Sequence, residues 1–362
     1  GDYTLSVDAN MATTGEAMFR VLTPASAQDL GLNTAVTASL DQARGTALYR
    51  VALQAGDKLF MDGRSATNGA ISWRLLDPYG DLAASSSALT TLIAPFTVGK
   101  TGNYLLLLEG ATANDPAKTA SYDFSFNRVP DLFAALNTGN AVSGSIATAG
   151  QSTVYTFDLT TAARLVFDFQ TNNSSLLWSL RGPRGAEITD RAFTGSDASG
   201  GLSVLSLPAG SYQLTVRGSG RTTGAYAFRV LEAAAATPFT LGTAVTGSLI
   251  PGNATHLYSV TVAAGDRLAF DSLSVAGGAA TWRLVDSYGR DAVGSNNLAT
   301  DKSAFLLKTP GTYTLLVEGA LANTAPVDYS FQLNFVDNVP QPALPDGDPM
   351  VVGEVVTGYV DT

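Results

Sequence analysis

Apolar and polar residues alternate along many short segments of the chain. Tyr49, Val51 and Leu53 are separated by polar or small residues, and the same alternation recurs at 104–108 and at 122–126. Because successive side chains of a β-strand point to opposite faces, a period of two predicts strands with one buried face. These segments are therefore predicted to be half-buried strands.

Turn-forming residues separate the predicted strands. Segments such as 55–57 (Ala-Gly-Asp) and 77–80 (Asp-Pro-Tyr-Gly) combine Gly, Pro and Asp, which favour tight turns. Patterns typical of helices are nearly absent. We expect about seven or eight short strands per structural unit, a size typical of a β-sandwich.

An internal repeat sets the size of that unit. The aromatic strand at 48–51 recurs at 154–157 and 257–260, which places Tyr49, Tyr155 and Tyr258 at one repeated position. Three tryptophans recur at the same spacing of about 100 residues, at Trp73, Trp178 and Trp282. The sequence predicts an all-β fold of tandem antiparallel β-sandwich repeats, jelly-roll-like, each about 100 residues long with one tryptophan in its core.

The repeat also predicts the domain boundaries. Three complete sandwiches are expected at 27–129, 131–232 and 237–336, followed by a proline-rich linker at 337–348. Segment 1–5 matches 311–315 and segment 19–22 matches 228–231, so 1–23 is interpreted as the C-terminal strands of a preceding repeat. Residues 349–362 are interpreted as the first strand of a following repeat. Both ends are expected to pair with chain outside this sequence, because isolated strands are marginal in water.

Charge and composition exclude several partners. The chain has 21 Lys and Arg against 31 Asp and Glu, a net charge of -10, which disfavours binding to nucleic acid. It has no cysteine, so disulfides and thiolate metal sites are excluded. No apolar run approaches the roughly 18 residues that a membrane-spanning helix needs.

His256 is the only histidine and therefore the only candidate for a histidine-dependent catalytic or metal site. The equivalent positions in the other repeats are Ala47 and Thr153. A position that varies in this way is interpreted as a surface strand residue. No enzymatic activity is expected.

Carboxylate pairs are the candidates for calcium, which prefers about six to eight oxygen ligands. Three pairs lie close together in the sequence: Asp77 with Asp81, Asp286 with Asp291, and Asp346 with Asp348. Asp77 and Asp286 begin Asp-x-Tyr-Gly turns, in which the carboxylate caps its own backbone, so turn formation is favoured over metal binding. No cofactor is expected, with calcium left open.

Two tyrosines differ from the inward-facing aromatic residues. Tyr79 and Tyr288 lie in turns and are the first candidates for binding a sugar or matrix polymer. The glycine-rich segment 218–224 opens no helix, so a hairpin loop is expected there instead of a phosphate loop. Asn172, Asn173 and Asn253 lie in glycosylation-like sequons.

The repeats resemble the bacterial pre-peptidase C-terminal domain. The resemblance is carried by a series of segments in the third repeat: 245–249, 257–260, 264–268, 282–286 and 310–319. It implies a jelly-roll sandwich and long tandem arrays in very large secreted bacterial proteins. Some relatives bind calcium or a matrix polymer. The second repeat departs most, with Thr-Ala-Ala-Arg at 161–164 where the others have Ala-Gly-Asp and a basic residue.

These observations favour a structural function. We expect a stalk segment of a large secreted bacterial surface protein, such as an adhesin, filament or sheath component, located outside the cell or at its surface. The expected partners are neighbouring repeats of the same longer chain or like subunits. The alternative is an array of carbohydrate- or matrix-binding modules that gains avidity from multivalency.

Overall fold

A computed structural model describes residues 2–7, 19–195 and 204–340. Its strands form six sheets, three with five strands and three with four. Each five-stranded sheet packs on a four-stranded sheet formed by the same stretch of chain. We call the resulting units the first, second and third sandwich.

The first sandwich has nine strands: β1 Gln28–Asp29, β2 Ala35–Leu40, β3 Thr46–Leu53, β4 Lys58–Thr67, β5 Ile71–Leu76, β6 Leu82–Ser86, β7 Phe96–Thr97, β8 Gly102–Gly110 and β9 Ala120–Arg128. The second has β10 Leu132–Ala135, β11 Ala141–Ile146, β12 Ser152–Leu159, β13 Ala163–Phe169, β14 Leu176–Gly182, β15 Gly185–Ala192, β16 Leu205–Leu207, β17 Gly210–Gly218 and β18 Gly224–Glu232.

The third sandwich has β19 Thr237–Pro238, β20 Val245–Leu249, β21 Thr255–Val262, β22 Asp266–Ala276, β23 Ala280–Val285, β24 Asp291–Asn297, β25 Lys302–Leu306, β26 Gly311–Gly319 and β27 Val327–Asn338. The helical elements in the described ranges are short 3-10 turns at Pro24–Ser26, Phe193–Gly195 and Ala233–Ala235. No helix within those ranges is long and apolar enough to cross a membrane.

The three sandwiches share one strand order. In the first, the sheets are ordered β1-β3-β8-β5-β6 and β2-β9-β4-β7, and the other two repeat this order. Consecutive strands from β2 to β5 alternate between the two sheets, as does the pair β8 and β9. This winding is that of a jelly roll, and the predicted all-β sandwich fold is confirmed.

The strand count and pairing depart from expectation in two respects. Each sandwich has nine described strands instead of seven or eight, because strands such as β1 and β7 have only two residues and show no periodic pattern. The first strand of each sandwich also pairs in parallel, as β1 does with β3, so the sheets are not wholly antiparallel.

The buried aromatic residues form three separate cores. Trp73, Trp178 and Trp282 are 0%, 1% and 0% exposed, and each lies in the hydrophobic cluster of its own sandwich. In the second sandwich, Phe167 and Phe169 flank the Trp178 ring at centroid distances of 4.8 Å. The prediction that the repeated rings point inward is confirmed.

A tyrosine pair recurs inside every sandwich. The hydroxyl oxygens lie 2.7 Å apart for Tyr49 and Tyr122, 2.9 Å for Tyr155 and Tyr226, and 2.6 Å for Tyr258 and Tyr329. The six phenol groups are buried, and in each pair one hydroxyl donates to the other. This bond joins the two sheets, because the first tyrosine lies on the five-stranded sheet and the second on the four-stranded sheet.

The structure describes parts of both chain ends. Residues 2–7 and 19–23, which belong to the predicted segment 1–23, form no strand in the part of the chain that the structure describes. Strand β27 extends to Asn338, two residues into the predicted linker at 337–348. The predicted strand at 349–362 lies outside the described residues.

Candidate functional site at the junctions between sandwiches

Strand β13 of the second sandwich lies across the five-stranded sheet of the third. Its residues alternate, so Leu165 and Phe167 enter their own core while Val166 points outward. Val166 and Val204 form a buried cluster with Val285 and Leu316 of the third sandwich, and Leu231 and Leu257 pack against it. Apolar outward residues are thus removed from water between the two sandwiches.

Asp168 is the most buried charged group at this junction, with a side-chain exposure of 0%. It accepts hydrogen bonds from Arg229 Nε at 2.9 Å and from Gln170 Nε2 at 2.9 Å. Across the junction it accepts bonds from Thr255 Oγ1 at 3.2 Å and Thr255 N at 3.3 Å. Burial raises the pKa of Asp168, while Arg229 and these donors act to lower it.

Arg229 completes the link between the two sandwiches. Its Nη2 lies 2.8 Å from Asp168 and also donates to the carbonyl oxygen of Thr255 at 2.9 Å. A guanidinium can donate to a carboxylate and a carbonyl at once because its N–H groups are fixed in a planar fork. One basic side chain of the second sandwich therefore binds a backbone group of the third.

A second buried ion pair lies on the third sandwich at the same junction. Arg283 Nε lies 3.0 Å from Glu318, and each side chain is only 2% exposed. Asp291 lies 3.3 Å from Arg283 Nη1. Burial raises the pKa of Glu318 to about 7, partly opposed by Arg283, with smaller upward contributions from Asp168 and Asp291.

Polar contacts at both ends of β13 close the junction. Arg164 donates to the carbonyl oxygens of Asp286 at 3.2 Å and Ser287 at 2.5 Å. Beyond the other end, Asn253 donates to the carbonyl of Gln170 at 2.7 Å. The outward residues of one strand thus contact the third sandwich along the whole length of that strand.

The first and second sandwiches meet through a similar arrangement. Lys58 lies 2.6 Å from Asp131 and donates to Ser152 Oγ at 3.3 Å. Arg221 forms an ion pair with Asp62 and donates to the carbonyl of Gly63 at 2.6 Å. Phe60, which points outward from β4, is only 2% exposed because the second sandwich covers it.

The connection that contains Arg221 differs from the prediction. Segment 218–224 was expected to be a hairpin loop, but β17 and β18 belong to different sheets. The loop crosses from one sheet to the other, as jelly-roll winding requires. It carries Arg221 to the first sandwich, so its structural role is to join neighbouring sandwiches.

His256 lies on β21 and is half-buried, whereas a surface position was expected. Its Nδ1 lies 2.8 Å from the hydroxyl of Tyr329, which also bonds Tyr258. Burial lowers the pKa of His256, and nearby Arg229 lowers it further. The imidazole extends the buried tyrosine pair of the third sandwich, which accounts for its position.

The first carboxylate pair, Asp77 and Asp81, lies in a turn that Asp77 caps. Asp77 accepts bonds from the backbone N–H of Tyr79 at 2.8 Å and of Asp81 at 3.0 Å. Lys100 bonds both carboxylates, at 2.5 Å from Asp77 and 3.1 Å from Asp81, and its ammonium lowers the pKa of Asp77. These contacts are those that the turn interpretation requires.

The equivalent turn of the third sandwich has the same construction. Asp286 accepts bonds from the backbone N–H of Tyr288 at 2.8 Å and of Arg290 at 2.9 Å. Asp291 faces Arg283 instead of Asp286. Within the described ranges, no three His, Asp or Glu residues are grouped as a metal site. Asp346 and Asp348 lie outside those ranges.

The turn tyrosines are exposed, as their positions suggested. Tyr79 is 80% exposed with Lys100 Nζ 4.7 Å from its ring centroid, and Tyr288 is 66% exposed beneath Arg290 at 5.0 Å. A cation already covers one face of each ring, which leaves the other face accessible.

The asparagines of the sequons have different surroundings. Asn173 Oδ1 accepts a bond from the backbone N–H of Ser175 at 2.9 Å, while Asn172 is exposed. Asn253 is only 8% exposed and faces the second sandwich. A glycan on Asn253 would have to displace the junction.

Comparisons with known proteins assign no family to the chain. No family model matches it, and no curated protein matches it. Among solved structures, it is similar to the pre-peptidase C-terminal domain of collagenase from Bacillus anthracis, with 16% identity and a TM-score of 0.22 over 28% of this chain and 95% of that one.

Two further solved structures illustrate the range of similar folds. The CUB1-EGF-CUB2 domain of human MASP-1/3 has 9% identity and a TM-score of 0.18, covering 55% of this chain and 100% of that one. A triple jelly roll from an archaeal virus has 11% identity and a TM-score of 0.14, covering 84% and 83%.

Proposed function

We propose that the chain is a structural stalk segment, in which sandwiches stack through their sheet faces to form a stiff spacer. The observation that carries this proposal is the junction between the second and third sandwiches. There Asp168, at 0% exposure, bonds Thr255 of the neighbouring sandwich, and Val166 and Leu316 are buried beside it. Contacts of this depth oppose free movement of neighbouring domains, which is otherwise the default.

The proposed setting is a large secreted bacterial surface protein, such as an adhesin, filament or sheath. The resemblance of the repeats to the pre-peptidase C-terminal domain supports this setting. The sequence has no cysteine, so it has no thiol that an oxidising compartment would alter. The proposal assigns no reaction to this chain, because His256 is engaged with Tyr329 and has Ala47 and Thr153 as its equivalents.

Small-angle scattering tests the stalk proposal. A compact globule of this length would have a radius of gyration of about 21 Å. We expect a larger value and an asymmetric distance distribution at high dilution, where single chains predominate. A value near that of a compact globule would contradict the proposal.

A second candidate function is a multivalent binding array. The exposed rings of Tyr79 and Tyr288 favour it, because aromatic rings at turn tips can stack on sugars or contact a matrix protein. Screening against glycans and collagen separates the two functions. Binding that is lost in the double variant Tyr79→Ala, Tyr288→Ala would support the array, provided that Tyr3→Ala, at another exposed tyrosine, leaves it unchanged. Absence of binding would favour the spacer.

A further inference from the structure

One strand of each four-stranded sheet repeats the same outward sequence of a basic, an apolar and an acidic residue. Alternate positions of a strand share a face, so all three point away from the core. The residues are Lys58, Phe60 and Asp62 on β4, Arg164, Val166 and Asp168 on β13, and Arg267, Ala269 and Asp271 on β22. We call the face that they mark the outer four-stranded face.

On the first and second sandwiches, the next sandwich covers this face. Lys58 donates to Ser152 of the second sandwich, and Arg164 donates to the carbonyl of Ser287 of the third. Phe60 and Val166 are 2% and 3% exposed. Asp168 accepts a hydrogen bond from Thr255 of the third sandwich. The repeated triplet is therefore the part of each sandwich that engages the following one.

On the third sandwich the same triplet has only local partners. Arg267 lies 2.9 Å from Asp337, and Asp271 accepts a bond from Asn334 at 2.6 Å. Ala269 is half-buried, in contrast to the covered Phe60 and Val166. The described residues supply no fourth sandwich for this face to engage.

The first sandwich has the complementary surface on its five-stranded sheet, which we call the outer five-stranded face. It is equivalent in strand register to the face of the third sandwich that contacts β13. Arg74 pairs with Leu107 in the first sandwich, and at the same position of the third Arg283 pairs with Leu316. Likewise, Thr46 pairs with Glu109 as Thr255 pairs with Glu318.

The ion pair of this face is also repeated. Arg74 forms two hydrogen bonds to Glu109, at 2.7 and 2.6 Å, as Arg283 bonds Glu318. The side chains of Arg74 and Glu109 are 48% and 26% exposed, whereas those of Arg283 and Glu318 are each 2% exposed. The ion pair that is buried at the junction of the third sandwich is therefore partly exposed in the first.

Four leucines make the outer five-stranded face apolar. Leu48, Leu76, Leu105 and Leu107 alternate with inward residues, and all four are half-buried. Their counterparts in the third sandwich include Leu257, Val285 and Leu316, which belong to the junction cluster. Apolar residues at outward positions of a sheet are favoured where another surface covers them.

Arg20 contacts this face in the same way that Arg229 contacts the third sandwich. Its Nη2 donates to the carbonyl of Thr46 at 3.1 Å, as Arg229 Nη2 donates to the carbonyl of Thr255 at 2.9 Å. Arg20 lies in the segment 19–22 that matches 228–231. The face therefore accepts the same bond from the same residue type as the covered face of the third sandwich.

We infer that the outer four-stranded face of the third sandwich binds the outer five-stranded face of the first sandwich of a second copy. By analogy with the second junction, Asp271 would face Thr46, and Arg267 would face the carbonyl groups of Asp77 and Pro78, which are equivalent to Asp286 and Ser287. Phe19 and Val21 of segment 19–23 are 61% and 77% exposed, so this segment covers little of the apolar surface. This contact joins two different faces, so it is a head-to-tail contact that can link more than two chains. It rests on the proposed stacking function.

Sedimentation velocity over a range of concentrations tests this inference. We expect the weight-average mass to exceed the 37.4 kDa of one chain and to rise with concentration. Leu107→Glu or Arg74→Glu on the first sandwich should each abolish the rise, as should Asp271→Arg on the third. Phe133→Glu, at a 74% exposed residue of edge strand β10, should leave it unchanged.

Mixing variants identifies the two faces. Leu107→Glu and Asp271→Arg are each expected to be monomeric, but an equimolar mixture should form dimers and no larger species, because one intact face remains on each. Unchanged melting temperatures establish that the variants fold. The inference is overturned if the unaltered chain stays monomeric, or if the variants associate as it does. Monomers that are still elongated in scattering would leave the stalk proposal intact.

Discussion

At the scale of single residues, the paired tyrosines show how polar groups are accommodated in a small core. Each hydroxyl is buried, and burial raises the pKa of Tyr49 and Tyr122, so both remain protonated at physiological pH. A buried hydroxyl without a partner costs about 1–3 kcal/mol, whereas a satisfied one is close to neutral. The pair is therefore stable as a unit.

This unit predicts non-additive substitution effects. Tyr49→Phe or Tyr122→Phe alone should destabilise the first sandwich by about 1–3 kcal/mol, since each leaves one hydroxyl unpaired. The double substitution should cost less than the sum of the two, because both polar groups are then gone. Chemical denaturation of all four proteins measures the coupling, and strict additivity would contradict the role of the bond.

Glu318 predicts a dependence of stability on pH. Because burial raises its folded pKa from 4.5 to about 7, the folded protein binds more protons than the unfolded one between these values. The contribution of Glu318 to the free energy of unfolding is therefore greatest below pH 4.5. It decreases as pH rises toward 7, by up to about 3 kcal/mol. Asp168 acts in the same direction, since burial also raises its pKa.

Thermal melting from pH 4.5 to 8 measures this effect. Glu318→Gln should flatten the profile of the third sandwich over this range. The matched control is Glu109→Gln, at the equivalent but more exposed ion pair of the first sandwich. Equal changes in the two variants, or a profile unaltered by Glu318→Gln, would show that burial of Glu318 does not govern the dependence.

The buried rings could be predicted from the sequence, but the buried charges could not. Trp178 and Tyr155 are aromatic and follow the period of two, so both pattern and chemistry place them inside. Asp168 occupies an outward position, where a carboxylate is ordinarily solvated. The available signal was the recurrence of an acidic residue at Asp62, Asp168 and Asp271, four positions after a basic one.

At the scale of elements, strand β13 acts both as a core strand and as a contact surface. Its inward residues Leu165, Phe167 and Phe169 pack around Trp178, and its outward residues engage the third sandwich. Substitutions on its two faces should therefore have separable effects. An inward change affects one core, whereas an outward change affects the coupling between two.

Asp168→Asn tests the outward face. It leaves the guanidinium of Arg229 without its carboxylate at a buried site, and breaking a buried pair in this way costs about 3–5 kcal/mol. Differential scanning calorimetry should show a lower melting temperature and separate transitions for the second and third sandwiches. Asp271→Asn, at the same strand position of the third sandwich, should have little effect because Asp271 contacts no other sandwich in the described structure.

The shortest strands could not be predicted from the sequence, whereas the tight turns could. The parallel edge strands have two to four residues, too few for a periodic pattern to be recognised. The Asp-x-Tyr-Gly turns were predicted because their residue types act locally. The loop carrying Arg221 was assigned to the wrong connection, since sequence does not show to which sheet a strand belongs.

At the scale of the whole molecule, contacts between sheet faces couple the three sandwiches. The two junctions use the same strand of the four-stranded sheet, but the contacts differ. The first relies on Lys58 and Arg221, which are partly exposed, whereas the second buries Asp168 and Glu318. We therefore expect the second junction to be the stiffer of the two.

A distance measurement across the second junction tests whether the second and third sandwiches form a rigid stack. The chain has no cysteine, so Ser174→Cys and Thr324→Cys introduce spin labels only at two exposed loops of the second and third sandwiches. Double electron–electron resonance should give a single narrow distance distribution, which broadens when Asp168→Asn is added. A broad distribution in the protein with intact Asp168 would contradict a rigid stack.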